Sequence, residues 1–133
     1  MISSIKLKSI VYQYLNATNI KDVIDGDVYL EGMRPLDSKK QDIIVGTLSV
    51  NNSVLQNSVV LIGIYVPKLF LNTNHVPNYN VLLQATNLLT PLFKELYIKS
   101  EGLYLDIEYV TDYEVQNRDE NVSVIRLITR KTQ

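Results

Sequence analysis

The chain has 133 residues, thirteen basic and fourteen acidic side chains, and no cysteine. That length fits a single domain, 1–133, able to bury about two thirds of its unfolded surface without staples, and the lack of thiols excludes disulfides and thiolate metal sites. A net charge near zero argues against a general nucleic-acid binder and gives little colloidal repulsion, which suits a protein that associates.

No apolar run approaches the roughly 18 residues that a membrane span needs, and the opening Met1–Lys6 lacks the apolar block of a signal peptide. Residues 2–15 read as a helix. Leu7, Ile10, Val11 and Tyr14 fall at i, i+3, i+4 and i+7, with Leu15 beside them, and Ser3 or Ser4 is placed to cap the start. An Asp-Gly-Asp turn around Gly26 leads to a short strand, Val28-Tyr29-Leu30. The polar stretch from Gly32 to Lys40 then reads as a solvated loop, with Arg34 held extended by Pro35. Its acids and bases match no complete calcium or phosphate motif.

Residues 42–67 carry the strongest strand signal. Ile43 to Val50 and Val59 to Val66 are β-branched runs around Asn51-Asn52-Ser53, an antiparallel hairpin. The second run is apolar on both faces, so a cover on both is expected, from the chain's own helices or from a neighbouring subunit. Pro67 ends it. Residues 68–79 read as a loop of about twelve residues. Its Leu69, Phe70 and Leu71 need something to pack on, within the chain or on a neighbour. His75, the only histidine, has no second histidine or cysteine to make a metal site with.

Residues 80–98 read as a long helix, with Val81, Ala85, Leu88, Leu89, Leu92 and Leu96 on one face. Asn78 or Asn80 is placed to cap it, Pro91 should bend it, and Gly102 should stop it. A second hairpin closes the chain. Leu103, Leu105, Ile107 and Tyr109 alternate with Tyr104, Asp106 and Glu108, and the return strand 122–130 sets Ile125 and Leu127 against Arg126 and Arg130. Asp106 or Glu108 should pair with Arg126 or Arg130 across the wet face. The sum is an α+β fold, a mainly antiparallel sheet of about 4–5 strands (two hairpins plus a short strand) packed with an N-terminal helix and one long helix. No catalytic, cofactor-binding or metal-ligating constellation emerges.

The element order comes with specific local words. Val28-Tyr29 precedes Arg34-Pro35, Ser38 and Gln41-Asp42 open an Ile-Ile-Val strand, the next strand ends Ile64-Tyr65-Val66-Pro67, and Asn78 starts the helix. In these features the chain, from about residue 5 to 130, resembles the tail-completion or tail-terminator proteins of tailed bacteriophages. It departs from that pattern at Gly63, where a polar residue, often Asn, is usual, and at Lys68, where an acid is common. The resemblance implies a non-enzymatic virion protein of the neck or upper tail, made in the host cytoplasm, without a cofactor. It implies a homo-oligomeric ring of six copies, or of twelve, set between tail-tube and head-tail adaptor or portal proteins. Such a ring ends the tail, joins it to the head and lets DNA pass without sequence-specific binding. A portal-proximal adaptor ring, a baseplate component, or a small cytosolic protein-binding domain unrelated to phage are the alternatives. Arg34, Phe70, Leu71 and Arg118 are the candidate interface residues. Residues 103–131 hold six acids and four bases, which makes Asp106 and Glu108 candidates to face the lumen, where phosphate-neutralising cations would hold the cargo.

Overall fold

The computed structural model describes residues 3–48 and 57–131. Helix α1 runs Ser4–Asn16, and the Ser3 hydroxyl accepts the Lys6 N–H at 3.1 Å, the expected cap. Its stripe of Leu7, Ile10, Val11 and Leu15 is buried. The Thr18 hydroxyl donates to the Leu15 carbonyl at 2.6 Å and helps close the end.

Strand β1 is Val28–Leu30, β2 is Asp42–Leu48 and β3 is Asn57–Pro67. Strands β2 and β3 form the expected antiparallel pair, with Ile43 opposite Ile64 and Val45 opposite Ile62. The turn assigned to Asn51-Asn52-Ser53 lies outside the described residues. β1 lies parallel to β2. A parallel pair requires a crossover, and residues 31–41 make it without a helix, which puts the Arg34-Pro35 loop across the end of the sheet.

Three expectations are corrected. Among the described residues the main sheet has six strands rather than 4–5, in the order β1-β2-β3-β8-β7-β6, where β6 is Leu96–Ile98, β7 is Leu103–Glu114 and β8 is Glu120–Lys131. Residues 68–79 are not all loop. β4, Leu69–Leu71, and β5, Asn74–Val76, form a separate two-stranded sheet, here called the arm. The second helix, α2, is Tyr79–Phe93 and stops well short of residue 98. Lys94 is extended and Glu95 takes a left-handed φ of 50°. Leu96–Ile98 then forms β6 and pairs with Leu103–Leu105. Pro91, two residues before the helix end, withholds an N–H from the last turn. Asn78 occupies the cap position of α2, but its side chain makes no capping bond. Gly102, left-handed at φ 59°, ends the 3-10 turn of residues 99–101 and turns the chain into β7.

β7 is Leu103–Glu114 and β8 is Glu120–Lys131. A bulge between Ile107 and Tyr109 breaks the alternation. Beyond it Tyr109 faces with Tyr104 rather than with Leu105, and is 47 % exposed. The core is one cluster on one face of the sheet. Ile43, Val45, Val60, Ile62, Ile64, Leu105, Ile125 and Leu127 meet α1 and α2 there. Phe93 is fully buried and takes the edge of the Tyr14 ring at 5.2 Å, tying the two helices together. Among the described residues the other face has no helix. Its cover is its own tyrosine and arginine side chains, arranged in cross-strand rows such as Tyr65, Val122 and Tyr113.

Candidate functional site

The end of the sheet where β3 finishes and β8 begins collects most of the unusual features. Asp42 opens β2 and Glu120 opens β8, and both are buried, at 0 % and 3 % exposure. A buried carboxylate needs a partner. Arg34 provides it from the crossover loop, its Nε donating to Asp42 Oδ2 at 2.9 Å and its two terminal nitrogens to both oxygens of Glu120 at 3.1 and 3.0 Å. The Ser38 hydroxyl donates to the same Asp42 oxygen at 2.5 Å. The other Asp42 oxygen takes the Asp27 N–H at 3.0 Å, fixing the turn before β1. The Arg34 guanidinium also lies over the Tyr65 ring, 5.1 Å from its centre. Burial opposes the charge on Arg34, and the hydrogen bonds to Glu120 and then Asp42 outweigh it, so its pKa moves up and it stays cationic.

Arg118, at the β7–β8 tip, extends this knot. Its Nε pairs with Glu120 at 2.8 Å, and its terminal nitrogens donate to the carbonyls of Leu36 at 3.0 Å and Ser38 at 2.7 Å. The two candidate interface arginines are therefore joined through one carboxylate. Both guanidinium groups are engaged inside the chain and fasten the crossover loop to the sheet. The loop is only half as expected. Its arginine and serine side chains turn inward, while Leu36 is 93 % exposed. Leu36 and Lys68, at the base of the arm, line a common open cleft of about 520 Å³ with Arg118 and Asp119.

The arm projects beside this cleft. Asn72 and Thr73 both take positive φ, 48° and 67°, as a two-residue hairpin turn of the primed kind requires. Leu69, Phe70 and Leu71 are 41, 63 and 53 % exposed, so the two candidate contacts Phe70 and Leu71 are open to solvent rather than covered within the chain. Two bonds to Asp119 hold the base, beside an ion pair of Lys68 with Glu114. Lys68 N–H donates to the Asp119 carbonyl at 3.0 Å, and His75 Nδ1 sits 2.6 Å from Asp119 Oδ2. The His75 and Phe70 rings also meet in a T-shaped contact, with centres 5.0 Å apart. His75 thus fastens the arm, a role its isolation in the sequence did not suggest.

Asp106 and Glu108 lie away from this end, at the middle of β7. Glu108 is an ion pair with Arg126 at 3.3 Å, the expected cross-strand match. Asp106 does not reach Arg130. It accepts the N–H groups of Glu95 at 3.0 Å and Ile107 at 2.8 Å, capping the corner between α2 and β6, while Arg130 lies over Tyr104. Both acids are therefore compensated locally. Among the described residues no cluster of three or more His, Cys, Asp or Glu has the arrangement of a metal site.

Sequence reasoning missed Asp42 and Glu120 as buried carboxylates and Leu36 as the most exposed large apolar side chain among the described residues. The signal for Asp42 was present in its place, since Arg34, Ser38, Asp42 and Tyr65 all belong to the local words noted above and all converge on one knot. No protein-family model matches this chain, and no curated protein matches it.

Proposed function

We propose that this protein is a structural ring subunit of a phage neck or upper tail, acting by fit against copies of itself and adjoining virion proteins rather than by turnover. The observation that carries the reading is the arm. An eight-residue hairpin has little stability of its own, yet this one presents Leu69, Phe70 and Leu71 to solvent beside an exposed Leu36. Apolar side chains gathered on a projecting element mark a binding surface. The knot of Arg34, Asp42, Glu120 and Arg118 gives the arm a rigid base, so the ordering cost of docking is small. A contact between unlike surfaces of identical subunits closes into a ring when its rotation closes.

The reading is tested by measuring molar mass against concentration, alone and with tail tubes from the same source, and by imaging the particles. Closed rings of six or twelve copies, with a central channel, are the expected result. Phe70→Asp should abolish them while leaving the far-ultraviolet circular dichroism and the melting temperature in place, because Phe70 is an exposed residue. A chain that stays monomeric in the presence of its tail tube would overturn the reading.

A further inference from the structure

The sheet ends on β7 with an unfinished edge. β6 pairs only with Leu103–Leu105, so among the described residues no strand lies beside the outer backbone of residues 106–114. These residues are mostly exposed, including Tyr109, Val110 and Tyr113 at 47, 40 and 53 %. An open edge of this length offers a row of free N–H and C=O groups and accepts an added strand. The opposite edge of the sheet is the three-residue β1.

We propose that this edge receives the arm of a second copy of the same chain. Charge chooses the occupant. β7 carries Asp106, Glu108, Asp112 and Glu114 and no base, whereas residues 68–76 carry no acid. Pairing of one β7 edge with another would bring two rows of acids together and is disfavoured. The arm adds no acid to that edge, its own Lys68 and His75 being paired within the chain with Glu114 and Asp119. It is already extended, each of its two strands has one unpaired side, and it is apolar where β7 shows Tyr109, Val110 and Tyr113. Within one copy neither strand of the arm pairs with this edge, among the described residues. Its base is held at the turn end of β7, by Lys68 to Glu114 at 3.0 Å and by the two bonds to Asp119. The docking is therefore between copies and head-to-tail, one arm to the next edge. The inference rests on the self-assembly reading and names the surfaces that reading needs.

The cysteine-free chain makes the test direct. Phe70→Cys and Leu71→Cys point to opposite sides of the arm, and Val110→Cys and Thr111→Cys point to opposite faces of β7. Arm variants are mixed with edge variants at concentrations where assemblies form, then oxidised. A disulfide needs Cα atoms within roughly 7 Å. A covalent dimer from an arm–edge mixture, and from neither variant alone, supports the proposal. Cross-linking of an edge variant with itself overturns it, since edge then meets edge. Assemblies that form normally but give no arm–edge cross-link in any of the four combinations overturn it and leave the ring reading standing. A chain that stays monomeric at every concentration and with its tail tube overturns both.

Discussion

A Cβ on Gly26 would lie 2.0 Å from Asp42 Oδ1 and 2.3 Å from the Gln41 carbonyl. The turn before β1 thus has glycine because a buried carboxylate occupies the space a side chain would need. Gly26→Ala is expected to cost about 1–3 kcal/mol by forcing that contact apart, read from the denaturant midpoint. Arg34 is the more severe case. Its side chain is 7 % exposed and holds two buried carboxylates. Arg34→Ala should cost roughly 3–5 kcal/mol, the usual penalty for removing one partner of a buried pair. Arg34→Lys should recover little of it, because an ammonium does not reproduce the fork that grips Glu120. Tyr65, packed under Arg34, gives a pH signature. Burial raises its pKa above the ordinary tyrosine value, with Tyr113 and Glu120 adding to the shift and Arg34 opposing it. A raised folded-state pKa means the stability tied to the neutral phenol is intact below about pH 10 and is lost as pH climbs through the folded value. Tyr65→Phe should therefore flatten the fall in stability above that pH, measured as melting temperature against pH. At this scale the sequence announced types and positions but not burial. Arg34, Ser38 and Asp42 lie within nine residues of one another and read as a wet loop, because nothing local says that Glu120 will arrive from the far end of the chain.

Among the elements, α1 and the strands β2 and β3 were legible because their apolar periods are long and unbroken. The errors cluster where short elements share a composition. Leu92 and Leu96 continue a helical period, and Leu96 with Ile98 equally fits an alternating strand. The left-handed Glu95 decides between them, and glutamate is not a residue that advertises such a turn. The arm was hidden for a similar reason. Its turn is Asn72-Thr73 rather than Asn-Gly, and a β-branched residue at φ 67° is an uncommon choice. Thr73→Gly should relieve that conformation and stiffen the arm, a gain on the order of 1 kcal/mol. Because the arm is fastened at its base by Asp119, the gain should appear as slower amide exchange in residues 69–76 with little change in global melting. Equal protection before and after the substitution would mean that the turn is not what limits the arm. The bulge in β7 was likewise invisible, and it alone moves Tyr109 from the expected buried face to the open one.

For the molecule as a whole, the proposed ring places a demand on the electrostatics of the open sheet face. The acid excess of the last hairpin was the sequence argument for setting Asp106 and Glu108 toward a lumen. The folded chain shows a milder surface, since Glu108 is matched by Arg126, Asp106 is spent on backbone N–H groups, and Arg130 lies over Tyr104. A face in which each cation has an acid or an aromatic ring for company neither grips phosphate nor repels it strongly. Nonspecific affinity for duplex DNA grows with the number of phosphates a surface neutralises, and falls steeply with salt as those contacts are screened. The assembled protein is thus expected to show no measurable binding to a short labelled duplex near physiological salt, by fluorescence anisotropy. Glu108→Gln removes the acid beside Arg126 and leaves that cation with the Tyr109 ring alone, 5.5 Å from its centre. If this face lines the channel, one such change per subunit adds a full ring of cations without an acid to the inner wall. Assembled Glu108→Gln should then bind the duplex at low salt with a steep salt dependence that the same variant lacks as a monomer. Tight salt-sensitive binding by the unaltered assembly would place a basic wall inside the ring and reject the assignment of this face to the lumen. Equal behaviour of the variant as ring and as monomer would place the face on the outside.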